Sequence, residues 1–349
     1  MNYTNTISDD DLAQIKTICV LCWGLLGDVL IRVSLLEALK ERFPKANLTV
    51  VVDPSGFAAL ENHPAIDELV SFSRKKRPLL KYIYTMLSKV SYLRGKKFDL
   101  SINLYSGGAS PRMTRLINAK NRLGFNHTKA LRKANNWQVE HPGLCKNWTE
   151  EFGTVLRPLG IHKVRRGTSF YCKEQDLLFA DDWLSEVPEK HFVINLAAGV
   201  EEKIWATEKF ELLAEMIQHN YKYYPIILSN PGQIHLVDRF REIALDKLKY
   251  YVLPTTSFGR VAAIIKKSDF IITGDTSIMH MAFGLKCPTL GIFTQTRPEI
   301  VDPEDCIHIA CFHEGNELDA CGKKAGSQEL SVENCFSQFE KLNSLLERS

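Results

Sequence analysis

The chain has 349 residues, of which 45% are hydrophobic and 24% charged, and its formal net charge is +3. That length suits two domains, and so small a charge does not indicate a nucleic-acid partner. No stretch approaches the roughly 18 apolar residues of a membrane span, and the polar start lacks the apolar core of a secretory signal. Nine cysteines, an odd number, favour a reducing, cytoplasmic setting in which most thiols are buried.

The first predicted element is the apolar run ICVLCW at 18–23, which is followed by the turn GLLGD and by apolar residues at helical spacing. Pro44 ends this helix, and LTVVV at 48–52 is the next strand. The order strand, turn, helix, strand is typical of the opening of a doubly wound α/β domain. Glycines let such a turn approach a ligand closely. Asp28, at the start of the helix, either caps it or faces that ligand.

Residues 74–97 form a basic segment with apolar residues at helical spacing, which predicts a basic amphipathic helix. Its basic residues are Arg74, Lys75, Lys76, Arg77, Lys81, Lys89, Arg94, Lys96 and Lys97. The helix is either a packed helix with a solvated face or a surface that faces an anionic acceptor or anionic lipid.

A second series of strands begins with FVINL at 192–196 and continues with PIIL at 225–228. We therefore predict tandem α/β domains, at 1–175 and 176–330, each with a mainly parallel sheet. A last helix within 331–349 is expected to pack back on the first domain. Ligands of such sheets bind at the carboxyl ends of the strands, and two facing domains would form a cleft.

The stretch GDTSIMH at 274–280 connects the strand FII to a predicted helix. Asp275, Thr276 and Ser277 are all good N-cap residues. The free N–H groups and partial positive charge of a helix N-terminus suit a phosphate, so these residues are either an ordinary cap or part of an anion site. Lys203, in the turn after the first strand of the second domain, is either a surface lysine or a second phosphate ligand.

Several blocks, taken in order, resemble the glycosyltransferase family that contains the bacterial ADP-heptose:lipopolysaccharide heptosyltransferases. GLLGDVL with LLEALKERFPKANLTVVVD resembles the family's N-terminal block, and NRLGF its R-x-G-F element. KIWATEKFELLAEMI is similar to its K-x-W block, and GDTSIMHMAFGLKCPTLGIF to its D-T-G-x-x-H signature. The chain departs from the family at Ser277, where glycine is frequent. It departs again at SNPGQ, 229–233, where a donor-binding acid is usual.

The resemblance implies a GT-B fold, with two Rossmann-like domains facing across a cleft. It also implies an inverting, metal-independent transfer of heptose from ADP-heptose, without a cofactor. Asp28 would be the general base, and Lys203 would relieve the charge of the leaving diphosphate. Asp275 would orient its loop or bind a sugar hydroxyl, and His280 would face the nucleotide or lie in the core. The implied donor-binding residues are Gly24, Gly27, Asp275, Thr276, Ser277 and His280.

The implied acceptor is the lipid-linked Kdo and heptose inner core of lipopolysaccharide, whose carboxylates and phosphates suit arginine forks. Its candidate ligands are Arg74, Lys75, Lys76, Arg77, Arg112, Arg115 and Arg122. Such an acceptor implies a cytoplasmic enzyme that is peripheral on the inner face of the cytoplasmic membrane. We expect a monomer.

The sequence is also compatible with other functions. Asp53 ends the second strand, where an oxidoreductase would bind a dinucleotide ribose, although GLLG is not G-x-G-x-x-G. The same residues are also compatible with a GT-B enzyme that uses another donor or acceptor, with a GT-B epimerase, and with a non-catalytic protein that binds a sugar nucleotide or a carbohydrate.

The C-terminal cysteines raise the question of a metal. Cys311, Cys321 and Cys335 are separated by 10 and 14 positions, which does not match a compact zinc motif. His308 and His313 lie nearby in sequence, so a metal is conceivable, but we predict none.

Overall fold

The computed structural model describes residues 7–73, 79–105, 107, 109–143, 146–312 and 330–348. They form two compact units, Met1–Arg166 and Gly167–Ser349. The boundary precedes the expected one at 175/176 because residues 167–170 pack on the second unit. There, Phe170 N–H donates to the Gly284 carbonyl at 3.0 Å, and Lys286 Nζ donates to the Thr168 carbonyl at 2.9 Å.

The first unit has a parallel sheet with helices before, between and after its strands. Its strands are β1 Thr17–Leu21, β2 Asn47–Val52, β3 Glu68–Ser71, β4 Leu100–Asn103, β5 Asn121–Phe125 and β6 Trp137–Val139. Its helices are α1 Asp9–Ala13, α2 Leu26–Ile31, α3 Val33–Arg42, α4 Pro54–Leu60, α5 Leu79–Gly95, α6 Ser110–Ile117, α7 Lys129–Ala134 and α8 Trp148–Gly153, followed by a 3-10 helix at Thr154–Leu159. The helix predicted after β1 is divided into α2 and α3 at Arg32, whose buried guanidinium donates from Nη1 to the Trp23 carbonyl at 2.7 Å.

The second unit repeats this plan. Its strands are β7 His191–Asn195, β8 Tyr224–Leu228, β9 Tyr251–Leu253, β10 Phe270–Gly274, β11 Thr289–Ile292 and β12 His308–Cys311. Its helices are α9 Glu174–Leu184, α10 Thr207–Tyr221, α11 Ile234–Ala244, α12 Phe258–Lys267, α13 Ser277–Leu285 and α14 Val332–Leu346. Short 3-10 turns lie at Glu201–Lys203, Pro231–Gln233 and Pro298–Ile300.

Both sheets have the same doubly wound strand order. The first runs β3-β2-β1-β4-β5-β6 and the second β12-β11-β10-β7-β8-β9, so that in each the first strand of the unit lies beside its fourth. The strand order reverses between these two strands, and ligands of such sheets bind at that switch point, outside the carboxyl ends. The prediction of two Rossmann-like α/β domains is confirmed. The switch points are the ends of β1 and β4 and the ends of β7 and β10.

The last helix, α14, contributes to the core of the second unit. Cys335, Phe339 and Leu342 of α14 are fully buried in the core of the second unit, together with Phe192 and Phe270. The Phe339 ring lies 5.3 Å from the Phe270 ring. The apolar face of α14 is therefore already covered within its own unit.

In the part of the chain that the structure describes, no helix is both long and apolar enough to cross a bilayer.

Candidate active site

Asp28 lies in the first turn of α2, just beyond the carboxyl end of β1. Its Oδ2 accepts a hydrogen bond from the backbone N–H of Leu25 at 2.8 Å, so it does cap the helix. The carboxylate is only partly buried, and no described residue donates a hydrogen bond to Oδ1. One oxygen is thus held in place while the other can receive a proton from a substrate.

Gly24 shapes the loop that carries Asp28. Its φ of +151° is unfavourable for other residues, and a Cβ added there would lie 2.6 Å from Asp28 Cβ and 2.8 Å from Asp28 Oδ2. The Gly24 N–H donates to Asp53 Oδ2 at 3.2 Å, and Asp53 is buried. Asp53 therefore supports this loop, which weakens the hypothesis that it binds a ribose. Gly27 lies within the first turn of α2 and is partly exposed.

Lys203 and Asp275 form an ion pair at the switch point of the second sheet. Lys203 ends the 3-10 turn after β7, and Asp275 directly follows β10. Lys203 Nζ lies 2.5 Å from Asp275 Oδ2, with side-chain exposures of 24% and 7%. Asp275 Oδ2 also accepts from Thr296 Oγ1 at 2.6 Å. The buried Asp275 carboxylate therefore holds the Lys203 ammonium in place, while part of the Lys203 side chain faces solvent.

The charge of Asp275 is stabilised in spite of its burial. Burial alone raises the pKa of a carboxyl group, but the positive charge of Lys203, the neighbouring His280 and the hydrogen bonds from Lys203 and Thr296 outweigh it. The pKa of Asp275 is consequently below its ordinary value. His280 is buried, and its Nε2 lies 4.0 Å from Asp275 Oδ1.

Asn195 and Thr276 connect β7 to the start of α13. Thr276 is the N-cap of α13, and its Oγ1 accepts from the Ile278 N–H at 3.3 Å. The Asn195 side-chain amide lies 3.2 Å from Thr276 Oγ1 and 3.0 Å from Thr273 Oγ1. Ser277, the first residue of α13, is partly exposed. The predicted cap is thus present, and it lies beside Lys203 and Asp275 with a helix N-terminus that suits an anion.

The predicted acceptor ligands differ in how much of each side chain is available. Arg112 and Arg115 are exposed on α6, and neither makes an ion pair or hydrogen bond to a described residue. Arg122 in β5 is half-buried and donates from Nε to the Ala134 carbonyl at 2.8 Å and from Nη1 to the Ala119 carbonyl at 3.0 Å. Its guanidinium is thus used to hold loops together. Arg74, Lys75, Lys76 and Arg77 lie outside the described residues.

The cysteines near the C-terminus are core residues where the structure describes them. Cys311 and Cys335 are both fully buried, and burial raises the pKa of the Cys311 thiol well above its usual value. His308 Nδ1 instead contacts Asp302 Oδ1 at 2.7 Å. Among the described residues, no group of three or more His, Cys, Asp or Glu side chains could hold a metal ion. Cys321 and His313 lie outside the described residues.

The sequence analysis did not identify Asn195, Thr296 or Arg32 as residues that hold the loops of the site. Asn195 is the last residue of a buried strand and Thr296 follows the end of β11, so a polar residue just beyond each apolar run was the available signal. No comparable signal marks Arg32.

Comparisons with known proteins give a consistent result. A model of glycosyltransferase family 9 (heptosyltransferase) matches residues 86–324. The chain is 21% identical to the lipopolysaccharide core heptosyltransferase OpsX of Haemophilus influenzae, over 94% of this chain and 97% of that protein.

Solved structures show the same fold. The glycosyl transferase family 9 structure from Veillonella parvula is 21% identical, with a TM-score of 0.81 over 96% of this chain and 98% of that one. The E. coli ADP-heptose lps heptosyltransferase II is 14% identical, with a TM-score of 0.75 over 95% of this chain and all of the other. These likenesses show the GT-B fold that the sequence resemblance implied.

Proposed function

The chain belongs to glycosyltransferase family 9 (heptosyltransferase), and we propose that it moves a heptose from ADP-heptose to the inner core of lipopolysaccharide. The relatives support the choice of substrates, since one is named a lipopolysaccharide core heptosyltransferase and another an ADP-heptose heptosyltransferase. The observation that carries the proposal is chemical. Asp28, which has one carboxylate oxygen to which no described residue donates, lies in the first turn of the helix after the first strand of one sheet. Lys203 lies beside a helix N-terminus at the switch point of the other sheet.

Asp28 serves as the general base. It takes the proton from an acceptor hydroxyl on Oδ1, to which no described residue donates, while Oδ2 stays fixed by the Leu25 N–H. The acceptor oxygen then bonds to the anomeric carbon of the heptose as the bond from that carbon to the ADP oxygen breaks on the opposite face. Attack opposite the leaving group inverts the configuration of that carbon. Such proton transfer typically contributes a factor of about 10² to 10⁴ in rate.

The leaving diphosphate gains negative charge in this step, and the second unit supplies the groups that stabilise it. Lys203 keeps about a quarter of its side chain exposed (24%) while Asp275 holds it. The first N–H groups of α13 and the hydroxyl groups of Thr276 and Ser277 provide hydrogen-bond donors. These groups act without a metal ion or cofactor. The buried His280 lies beside Asp275 and supports the same site.

The acceptor is an anionic, lipid-linked saccharide. Arg112 and Arg115, both exposed on α6, are the described residues that we propose for its carboxylates or phosphates. Arg122 is a weaker candidate because its guanidinium already donates to two backbone carbonyls.

A lipid-linked acceptor places the reaction at the inner leaflet of the cytoplasmic membrane, and α5 is the surface that we propose for contact. Tyr84 and Leu87 are 76% and 59% exposed, and Ile83 is 38% exposed. The sequence of α5, LLKYIYTMLSKVSYLRG, contains no acidic residue. Exposed apolar and aromatic side chains on a basic helix are typical of binding to an anionic interface.

Vesicle sedimentation tests this membrane contact. The wild type is expected to sediment with phosphatidylglycerol vesicles more than with phosphatidylcholine vesicles, and less as salt rises. Leu87→Ser should reduce binding several-fold, whereas Leu345→Ser, at a 40% exposed leucine of α14, should not. Equal binding of both variants and both lipids would exclude α5 as the contact.

One experiment tests the proposed reaction. Wild-type enzyme is supplied with Kdo-containing lipid A and either ADP-heptose or another nucleotide sugar, and the product and its anomeric configuration are determined. The proposal predicts transfer with inversion from ADP-heptose, and no change of the donor without acceptor. Transfer from a different donor would favour the hypothesis that residues 229–233, which contain no acid, bind another nucleotide sugar. Conversion of the donor without acceptor would favour an epimerase.

A further inference from the structure

The loop after β11 contacts Asp275 and the turn that carries Lys203. Thr296 lies in this loop, is 3% exposed, and donates from Oγ1 to Asp275 Oδ2 at 2.6 Å. We propose that Thr296 is a positioning residue that fixes the Asp275 carboxylate and, through it, the Lys203 ammonium at the place where the donor diphosphate binds. This inference rests on the proposed function, and it assigns to Thr296 no contact with the substrate.

The Thr296 hydroxyl group matters because it is one of two close donors to the Asp275 carboxylate. Oδ2 receives two short hydrogen bonds, from Lys203 Nζ at 2.5 Å and from Thr296 Oγ1 at 2.6 Å. The other oxygen, Oδ1, lies 4.0 Å from His280 Nε2, beyond hydrogen-bond distance. These two donors come from different segments, the turn after β7 and the loop after β11, and together they restrain the carboxylate. Without the threonine hydroxyl, the orientation of Asp275 would depend on the lysine that it is meant to position.

The same loop also supports the turn that carries Lys203. Thr294 Oγ1 lies 3.4 Å from the carbonyl oxygen of Glu202, the residue before Lys203. A Cβ built at Gly274 would lie 3.6 Å from the Lys203 carbonyl oxygen and 3.8 Å from that of Ile292. The turn therefore lies against the carboxyl end of β10, beside the loop that follows β11. Both the ammonium and its carboxylate partner are held by elements that meet at this edge of the sheet.

The proposed role of Thr296 predicts a change in the pH dependence of activity, which a packing defect alone would not cause. Burial favours the protonated form of Asp275, and the Thr296 hydroxyl is among the groups that oppose burial and lower the pKa of Asp275. Removing the hydroxyl raises that pKa, so Asp275 becomes protonated at a higher pH. A neutral carboxyl group no longer attracts the ammonium. The acidic limb of the activity profile should therefore move to higher pH.

The test compares three variants of the full chain. Thr296→Val removes the hydroxyl with little change of shape, and Thr296→Ser keeps it. Thr289→Val is the matched control, because Thr289 is a fully buried threonine of β11 whose Oγ1 donates to the Cys287 carbonyl at 2.9 Å. For each variant, kcat, the KM of the donor, the pH profile, the affinity for ADP and the thermal unfolding temperature are measured.

We expect Thr296→Val to lower kcat/KM about tenfold, the size of one hydrogen bond to a charged group, and to shift the acidic limb to higher pH. Thr296→Ser should stay within about twofold of wild type. Thr289→Val should lose similar thermal stability but keep wild-type kinetics. Thr296→Val with wild-type kinetics and pH profile would overturn the inference, as would equal kinetic losses in Thr289→Val.

Binding of ADP separates this inference from the proposed function. If the wild type binds ADP but transfers no heptose, the proposed reaction is wrong, and weaker ADP binding by Thr296→Val than by Thr289→Val would still support the role of Thr296. Equal ADP binding by these two variants would then refute it. A wild type that binds none of ADP, UDP or GDP would overturn both.

Discussion

The substitution Lys203→Met removes the ammonium from the Lys203–Asp275 pair and keeps most of the hydrocarbon chain. Asp275 is then left as a buried carboxylate with Thr296 as its remaining short donor. Removing one partner of a fully buried ion pair typically costs about 3–5 kcal/mol. Lys203 is partly exposed, at 24%, so water replaces part of the lost interaction and we expect about 2 kcal/mol at pH 7.5.

The pH dependence of that loss follows from the pKa of Asp275. In the wild type this pKa is below its ordinary value, so the stabilisation is present above the pKa of the unfolded chain and disappears as the pH falls through the folded value. In the variant, burial is less opposed, so the folded carboxyl group binds a proton more readily. The difference in the free energy of unfolding between wild type and variant should therefore shrink as the pH falls from 7.5 towards about 4.

Urea unfolding followed by circular dichroism, at several pH values, measures this difference. Lys267→Met is the control, because Lys267 Nζ also lies 2.5 Å from a carboxylate, Asp181 Oδ1, but the two side chains are 31% and 60% exposed. Such a surface pair should contribute below about 1 kcal/mol. Equal losses in the two variants, or a loss for Lys203→Met that does not change with pH, would refute the reasoning.

Further predictions concern the first unit. Gly24→Ala should lower activity about a hundredfold by displacing Asp28, whereas Gly143→Ala, at a φ of +81° with no described atom within 4 Å, should cost only about 1–2 kcal/mol of stability; kinetics and thermal unfolding of both variants check this. Arg115→Ala should raise the acceptor KM without changing stability, while Arg122→Ala should lose about 1–3 kcal/mol because two hydrogen bonds to carbonyls are broken. A loss of stability in Arg115→Ala, together with a raised acceptor KM and unchanged stability in Arg122→Ala, would contradict the roles proposed for the two arginines.

Much of the fold could be predicted because the signals are local. Short apolar runs, a glycine turn and helical spacing identify each β-turn-α unit, and doubly wound units place their strand ends at one edge. Asp28 and Asp275 could be found for the same reason, since Asp275 directly follows a buried strand and Asp28 lies in the first turn of the helix after one.

The contacts that decide how the site works are not local. Lys203 and Asp275 are separated by 72 positions and pair only because β7 and β10 lie side by side. The sequence of α14 shows that the helix has an apolar face, but it does not show which part of the chain that face packs against. The packing of α14 in the core of the second unit is visible only in the structure. The two backbone carbonyls to which Arg122 donates come from other parts of the chain, and the sequence does not show that they lie near its guanidinium.

Heptose transfer by wild type and Asp28→Asn tests the central claim most directly. The asparagine Oδ1 can still accept from the Leu25 N–H, so the start of α2 is kept while the base is lost. With ADP-heptose and Kdo-containing lipid A, we predict transfer by the wild type and a loss of at least about a hundredfold in the variant, with unchanged affinity for ADP. Undiminished transfer by Asp28→Asn would remove Asp28 as the base, and a folded, ADP-binding wild type that transfers no heptose would contradict the proposed reaction.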